Sequence, residues 1–192
     1  MTWTLDPAHS AVTFSAKHMM VTTVRGSVAI REVKIDFVPE RPEGSIVRVV
    51  LDATSIDTGQ TMRDQHLRSA DFLETETHPT IDFASTAIEP RGGDRYAIRG
   101  NLTIRGVTRE VVLDAALGGV VADWQGSGRR AAFSARTKID REDFGLTWNV
   151  ALEQGGWLVS REIAIEIELA ATAPAATPAA ASHVRQREAV GA

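Results

Sequence analysis

The chain has 192 residues, 43% hydrophobic and 24% charged, which fits one globular domain with a sizeable core. Its formal net charge of −4 comes from interspersed acids and bases, so no basic stripe favours nucleic acid. The sequence has no cysteine, which excludes disulfides and thiolate chemistry, and no window approaches the roughly 20 apolar residues of a membrane helix.

The amino-terminal residues lack a cationic start followed by an apolar run, so they do not have the pattern of a secretory signal. We therefore expect a cytoplasmic protein, whose contact with a membrane would be peripheral or through a lipid ligand.

Most of the chain then alternates apolar and polar residues with a period of two, as β-strands do when one face is buried. Val12, Phe14 and Ala16 begin this pattern. Turns rich in Gly, Pro and Asp separate several of the runs, at residues 39–44, 90–94, 105–108, 118–119 and 126–128, which predicts an antiparallel sheet. The eight runs lie within residues 12–17, 33–37, 47–51, 81–85, 96–104, 111–115, 131–139 and 163–169.

About eight strands with one continuous apolar face can stack as a sandwich or close into a barrel. Closure removes the exposed edges, but periodicity alone does not choose between the two. A barrel of this size holds either packed side chains or one small ligand.

A polar insert at residues 57–83 interrupts the strands. It predicts a short helix at about residues 61–73, with Thr58 or Thr61 as its N-cap and with Met62 and Leu67 as apolar contacts. The charged side chains of the insert are expected to pair with one another or with a second polar segment, and the residues concerned are Arg63, Asp64, Arg68, Arg141 and Asp143. Such a network more often anchors a helix than forms a site.

The last residues are rich in alanine and proline and then charged. They carry too little bulky apolar surface to hold a fold, so we predict one domain at residues 1–171 and a disordered tail at 172–192. A helix from Ala179 onward is the alternative.

Catalytic and metal-binding patterns are missing from the sequence. His9, His18, His66 and His78 form neither HExxH nor a paired spacing, and no GxSxG occurs, so we expect no metal, no cofactor and no enzyme activity.

Four blocks of the sequence carry a resemblance to the YceI family of lipocalin-like, polyisoprenoid-binding proteins. They lie at residues 5–28, 50–83, 100–113 and 136–149, in the same order, and the resemblance runs from Trp3 to Ala171. It implies an all-β fold, an eight-stranded antiparallel lipocalin-like β-barrel, whose hydrophobic tunnel binds an isoprenoid lipid or quinone for transport, storage or sequestration. It also suggests a homodimer. Many members of the family are exported, whereas this chain lacks the signal.

On that view, residues on the apolar parity of the strands line the tunnel, joined by one tryptophan of the GLTWN segment. Polar side chains of the matching blocks would meet a headgroup at its mouth. The predicted wall residues are Phe14, Val28, Val47, Val49, Phe83, Ile98, Leu102, Phe133, Trp148 and Ile165, and the predicted mouth residues are His18, Arg63, His66 and Arg141.

Two other functions remain open at this point. A barrel-pocket enzyme, a cyclase or isomerase acting on a hydrophobic substrate, would have a tapered pocket with an acid or base at its centre. A purely structural barrel would have a solid core.

Overall fold

Eight antiparallel strands close into one barrel in the computed structural model, which describes residues 2–36, 44–123, 128–153 and 155–174. Each strand pairs with its neighbours in sequence, and β1 pairs with β8, which closes the ring. The predicted eight-stranded barrel is confirmed. The strands are β1 (Thr2–His18), β2 (Thr22–Asp36), β3 (Ile46–Asp57), β4 (Thr80–Gly92), β5 (Arg95–Ile104), β6 (Val107–Ala122), β7 (Gly128–Asp140) and β8 (Val159–Pro174).

The polar insert between β3 and β4 contains one helix, α1 (Thr61–Arg68). It ends five residues before the predicted boundary, because turns follow from Ser69 onward. A 3₁₀ helix, Arg141–Phe144, follows β7. Both helices lie at the same end of the barrel, which we call the α1 end; the other end is the far end. No helix in the described ranges has the length and apolar character to span a membrane.

Several strands are longer than the alternating runs that predicted them, because the pairing register shifts within the strand. In β1 the pairing with β8 shifts between Asp6 and Ala11, so Leu5 packs inward before the bulge while Val12 and Phe14 do so after it. A bulge adds one residue to one strand and moves the following side chains to the opposite face. The predicted runs therefore cover only part of each strand.

Two apolar clusters line the inside of the barrel at different heights. The far-end cluster contains Trp3, whose ring meets Phe133 edge to face with centroids 6.0 Å apart, together with Tyr96 and Ala131. The cluster at the α1 end includes Phe72 and Leu73, which the insert contributes.

Two glycines let phenylalanine rings lie against the wall. A Cβ on Gly26 would stand 2.5 Å from Phe14 Cζ, and one on Gly100 would stand 2.4 Å from Phe83 Cζ. Real Cβ atoms do not approach other atoms so closely, so only glycine fits under these rings.

Strand β8 runs through Pro174, three residues past the predicted domain boundary at residue 171, because Gly128 to Arg130 of β7 pair with Thr172 to Pro174. The rest of the predicted tail, from residue 175, lies outside the described residues. The same holds for Phe37 and for most of the predicted turns at 39–44 and 126–128.

Candidate functional site

An apolar cavity of about 690 Å³ lies inside the barrel. All eight strands line it, and it extends from side chains of the far-end cluster to α1. Its volume falls within the roughly 300–1,000 Å³ range of small-molecule sites. A barrel packed solid with side chains would have no such space, so the structure does not fit the purely structural alternative.

The length of the cavity follows from the strand that spans it. Tyr96 and Ile104 both line it from β5, and eight residues of strand extend about 27 Å, or about 20 Å along the axis of a tilted barrel. A volume of about 690 Å³ over that length leaves a mean cross-section of about 35 Å². The cavity is therefore narrow and suits an extended chain.

All ten predicted wall residues line this cavity. Their role in binding stays a prediction. Strand alternation indicated the inward direction of the strand residues among them, whereas Trp148 was predicted from the GLTWN segment. Sequence reasoning missed further lining residues, among them Ile35, Ile88, Tyr96, Leu117, Ile167 and Leu169. Ile88 was missed for a physical reason: the register of β4 shifts between Ser85 and Ala87, which reverses the inward parity set by Phe83. The sequence offered one sign of this bulge: Ile88 is apolar at a position where the alternation of Ile81 and Phe83 predicts an outward-facing residue.

An aromatic group lines the cavity at the α1 end. The His66 ring lies edge-on to Trp148, with centroids 4.5 Å apart, and to Phe72, with centroids 5.0 Å apart. His66 Nε2 is 2.9 Å from an Asp71 carboxylate oxygen. The predicted mouth residue His66 thus joins the helix to the apolar wall.

Asp64 fastens the start of α1. It is 5% exposed, and its carboxylate accepts hydrogen bonds from Thr58 N at 2.9 Å and Thr58 Oγ1 at 2.5 Å. Burial on its own would raise the pKa of Asp64, but these hydrogen bonds outweigh it and hold the pKa below its ordinary value. The N-cap is neither predicted threonine: Gln60 caps the helix and accepts from Arg63 N.

The arginines of α1 also fasten the insert. Arg63 donates to Thr58 Oγ1 at 2.6 Å and to Thr58 O at 3.0 Å, while Arg68 donates to the main-chain oxygens of Thr54 and Ile56 at 3.2 and 3.3 Å. The predicted pairing within the insert takes a weaker form than an ion pair: the charge of Arg63 helps to lower the pKa of Asp64, while the side-chain hydrogen bonds of Arg63 and Arg68 go to these oxygens. Leu67 packs as predicted, but Met62 is 69% exposed. The anchoring interpretation therefore holds for Arg63 and Arg68.

Arg141 is buried at the α1 end and borders the cavity. Its Nε donates to Ser160 O at 3.0 Å, and its Nη1 donates to Leu146 O. Its Nη2 is buried and has no hydrogen-bond partner in the described part of the chain. Burial lowers the pKa of Arg141, although an arginine retains its proton at neutral pH. One donor of a buried cation is thus left free.

The charged side chains around the cavity share one sign. Lys17, Arg63 and Arg141 line it together with His18 and His66, and no described lining residue is an aspartate or glutamate. His18 stands at the end of β1, opposite Val159, and no hydrogen bond engages its ring among the described residues. The four predicted mouth residues are therefore gathered at one end, and that end favours a ligand oxygen or an anion.

Comparisons with known proteins agree with this architecture. A family model described as the YceI-like domain matches residues 3–171. The protein named YceI of Escherichia coli is 39% identical over 138 residues, which make up 72% of this chain and 71% of that protein.

Solved structures give the same result. A YceI protein of Campylobacter jejuni superimposes with a TM-score of 0.69 at 30% identity, covering 82% of this chain and 89% of its own. A polyisoprenoid-binding domain of Saccharophagus degradans superimposes with a TM-score of 0.66 at 16% identity, covering 90% and 98%. The second likeness concerns the fold alone.

Proposed function

Because this chain belongs to the YceI-like family, we propose that it binds an isoprenoid lipid or a similar long amphiphile in the barrel cavity and carries, stores or sequesters it. The observation that carries the proposal is the narrow apolar cavity, about 690 Å³ in volume. The polyisoprenoid-binding domain of Saccharophagus degradans, which shares the fold, supports it at the level of the family.

Burial of the chain supplies the affinity. Each buried methylene contributes about 0.8 kcal/mol, so a few isoprene units outweigh the several kcal/mol lost on ordering the chain and the protein surface. No covalent chemistry is needed, because a dry cavity of matching width is enough. A quinone-type or polyprenyl ligand fits this description.

The head of the ligand lies at the α1 end in this proposal. Arg141 Nη2 is a buried donor at this end without a hydrogen-bond partner among the described residues, and no described residue hydrogen-bonds to the imidazole of His18. A phosphate, phenol or quinone oxygen would satisfy either group. Arg63 and His66 hold the helix beside the mouth, so their contribution to the head is secondary.

The cavity favours binding over catalysis. An enzyme that cyclises or isomerises a hydrophobic chain needs an acid or base at the reacting centre. Here the cationic and imidazole side chains that line the described cavity belong to the α1 end, and its walls are formed mainly by Val, Ile, Leu and Phe.

The test measures ligand retention by native mass spectrometry. Delipidated protein is mixed with a long-chain isoprenoid quinone, a polyprenyl phosphate or a straight-chain fatty acid, and the bound mass is recorded. Ala115→Trp fills the cavity from β6, whereas Val112→Trp adds the same side chain at an exposed position of that strand. We expect wild type and Val112→Trp to retain the isoprenoid and Ala115→Trp to lose it. Retention no greater than in a denatured control, or equal retention by both variants, would overturn the proposal.

A further inference from the structure

Large exposed apolar side chains gather at one end of this barrel. Among the described residues, nine large hydrophobic side chains are exposed, and six of them lie at the α1 end. We call these six the apolar rim: Met19, Met20, Val21, Met62, Val150 and Trp157. Scattered exposed apolar residues are ordinary, whereas a cluster beside a cavity indicates an interaction surface.

Hydrogen bonds hold the two main parts of the rim side by side. Met19 N donates to Leu158 O at 2.8 Å, and Leu158 N donates to Val150 O at 2.9 Å. Met20 also lies against Gly156, where a Cβ would be 3.5 Å from Met20 Cγ. The β1–β2 turn and the 150–158 hairpin therefore present one surface.

This surface borders the mouth of the cavity. Lys17 and Met62 are exposed and also line the cavity, so the cavity reaches the surface at the α1 end. Leu158 lines it from the joined hairpins and Met62 from α1. Met62 is 69% exposed and Trp157 is 51% exposed. Whatever contacts the rim therefore meets the opening as well.

The turn that carries Met19 and Met20 has an unusual sequence for its backbone. Both residues have positive φ, 51° and 59°, and Val21 N donates to His18 O at 3.1 Å across the turn. Asn and Gly are the usual residues at successive positive-φ positions. Two methionines here combine a strained backbone with exposed apolar surface, a combination that packing inside the barrel does not require.

The charges beside the rim favour a lipid surface as its partner. Lys17 and Arg63 line the opening, and cations of this kind are attracted to anionic headgroups. Carboxylates are also exposed at this end, among them Asp71, Asp143 and Glu153, so the preference for anionic lipid is modest. Trp and Met beside Lys suit the boundary between headgroups and acyl chains.

We propose that the α1 end docks on the surface of a lipid bilayer, with the apolar rim inserted at the headgroup level and the mouth facing the membrane. This inference rests on the proposed function, because docking lets a lipid pass between bilayer and cavity without crossing water.

Flotation with vesicles tests the docking. Protein is mixed with phosphatidylcholine vesicles, with or without phosphatidylglycerol, and the fraction that floats is measured. We expect wild type to float, more with phosphatidylglycerol, and the double variant Val21→Ser/Trp157→Gln to lose about tenfold in vesicle affinity. Val121→Ser is the matched control, because Val121 is exposed at the far end of the barrel, and it should float as wild type does. Met20→Ser is a second rim variant, at a residue that does not line the cavity, should the double variant fold poorly.

Two further measurements separate the explanations. Retention of an isoprenoid quinone delivered from detergent should be equal in wild type and rim variants, whereas its uptake from vesicles should slow in the variants. If detergent-delivered lipid is not retained but wild type floats, the proposed function fails and docking stands. Docking is overturned if wild type stays in the soluble fraction. It is also overturned if the control variant loses as much vesicle affinity as the rim variants. A rim variant that converts a dimer into a monomer in analytical ultracentrifugation while floating unchanged assigns the rim to a second copy of the chain and also overturns docking.

Discussion

Two alanines of β7 should respond to the same substitution with opposite signs. Ala135 lines the cavity, whereas Ala131 is 1% exposed and packed in the far-end cluster without lining it. They stand four residues apart on one strand, so both project into the barrel. Leucine at Ala135 has empty space to fill, and leucine at Ala131 has none.

The size of each effect follows from that space. Ala135→Leu adds three carbons to the apolar cavity, about 2.4 kcal/mol at 0.8 kcal/mol each, less about 0.5–1 kcal/mol of side-chain entropy. The free energy of unfolding of delipidated protein should rise by about 1.5 kcal/mol. Ala131→Leu forces three carbons into a packed site and should lower it by about 1–3 kcal/mol.

Urea denaturation of delipidated protein measures both changes, with far-ultraviolet circular dichroism as the probe. Ala135→Leu should also retain less isoprenoid, because the added side chain occupies ligand volume. If both variants lose stability to the same extent, the interior at Ala135 is packed in solution and the reasoning from the cavity is refuted.

Three other substitutions test separate parts of the structure. Asp64→Asn should lower the free energy of unfolding by about 1–2 kcal/mol at neutral pH, since it weakens the hydrogen bonds from Thr58. The pKa of folded Asp64 is lowered, so its stabilisation is complete above the unfolded pKa of about 3.9 and is lost as the pH falls through the folded pKa. Urea denaturation at several pH values should therefore show the free energies of unfolding of mutant and wild type converging in acid. Gly100→Ala should destabilise by about 1–3 kcal/mol, because its Cβ would stand 2.4 Å from Phe83 Cζ and 2.6 Å from Ala84 O. Adding Phe83→Leu should recover only the part of that loss caused by the ring, measured by thermal denaturation. His18→Ala should leave the melting temperature unchanged and weaken retention of a polyprenyl phosphate more than that of an uncharged polyprenol, measured by native mass spectrometry.

Each of these has an outcome that contradicts it. A constant stability gap between wild type and Asp64→Asn down to strong acid would mean that the Asp64 carboxylate is not the source of the stabilisation. Additive losses in Gly100→Ala and Phe83→Leu would show that the ring does not cause the clash. Equal weakening for both lipids in His18→Ala would remove the headgroup role of that imidazole.

The alternation of residues predicted which side chains line the cavity better than it predicted the bulges, the helix cap and the exposed rim around it. Phe14, Val49 and Leu102 were placed correctly because alternation in a strand translates directly into an inward or outward direction. Ile88 was missed because a bulge is set by the pairing of β4 with β5, which the sequence of one strand does not reveal. Closure of the sheet came from the family resemblance and not from periodicity.

The polar insert shows the same limit. Its helical character and its position at one end were predictable, but the choice of Gln60 over Thr58 as the N-cap was not. Thr58 was unavailable because Asp64 and Arg63 both bind its hydroxyl, a contact that only the folded loop brings about. The apolar rim was likewise invisible, because a sequence does not tell an exposed methionine from a buried one.

The pairing of β1 with β8 has a practical consequence for handling this protein. Thr4 lies opposite Thr172 in the ladder, so the first and last strands meet at the far end, away from the cavity opening. A tag or surface tether attached after Pro174 would leave the barrel from that end. Protein immobilised in this way on a sensor chip would point its opening towards the flowing solution, an orientation suited to measuring the capture and release of lipid in real time.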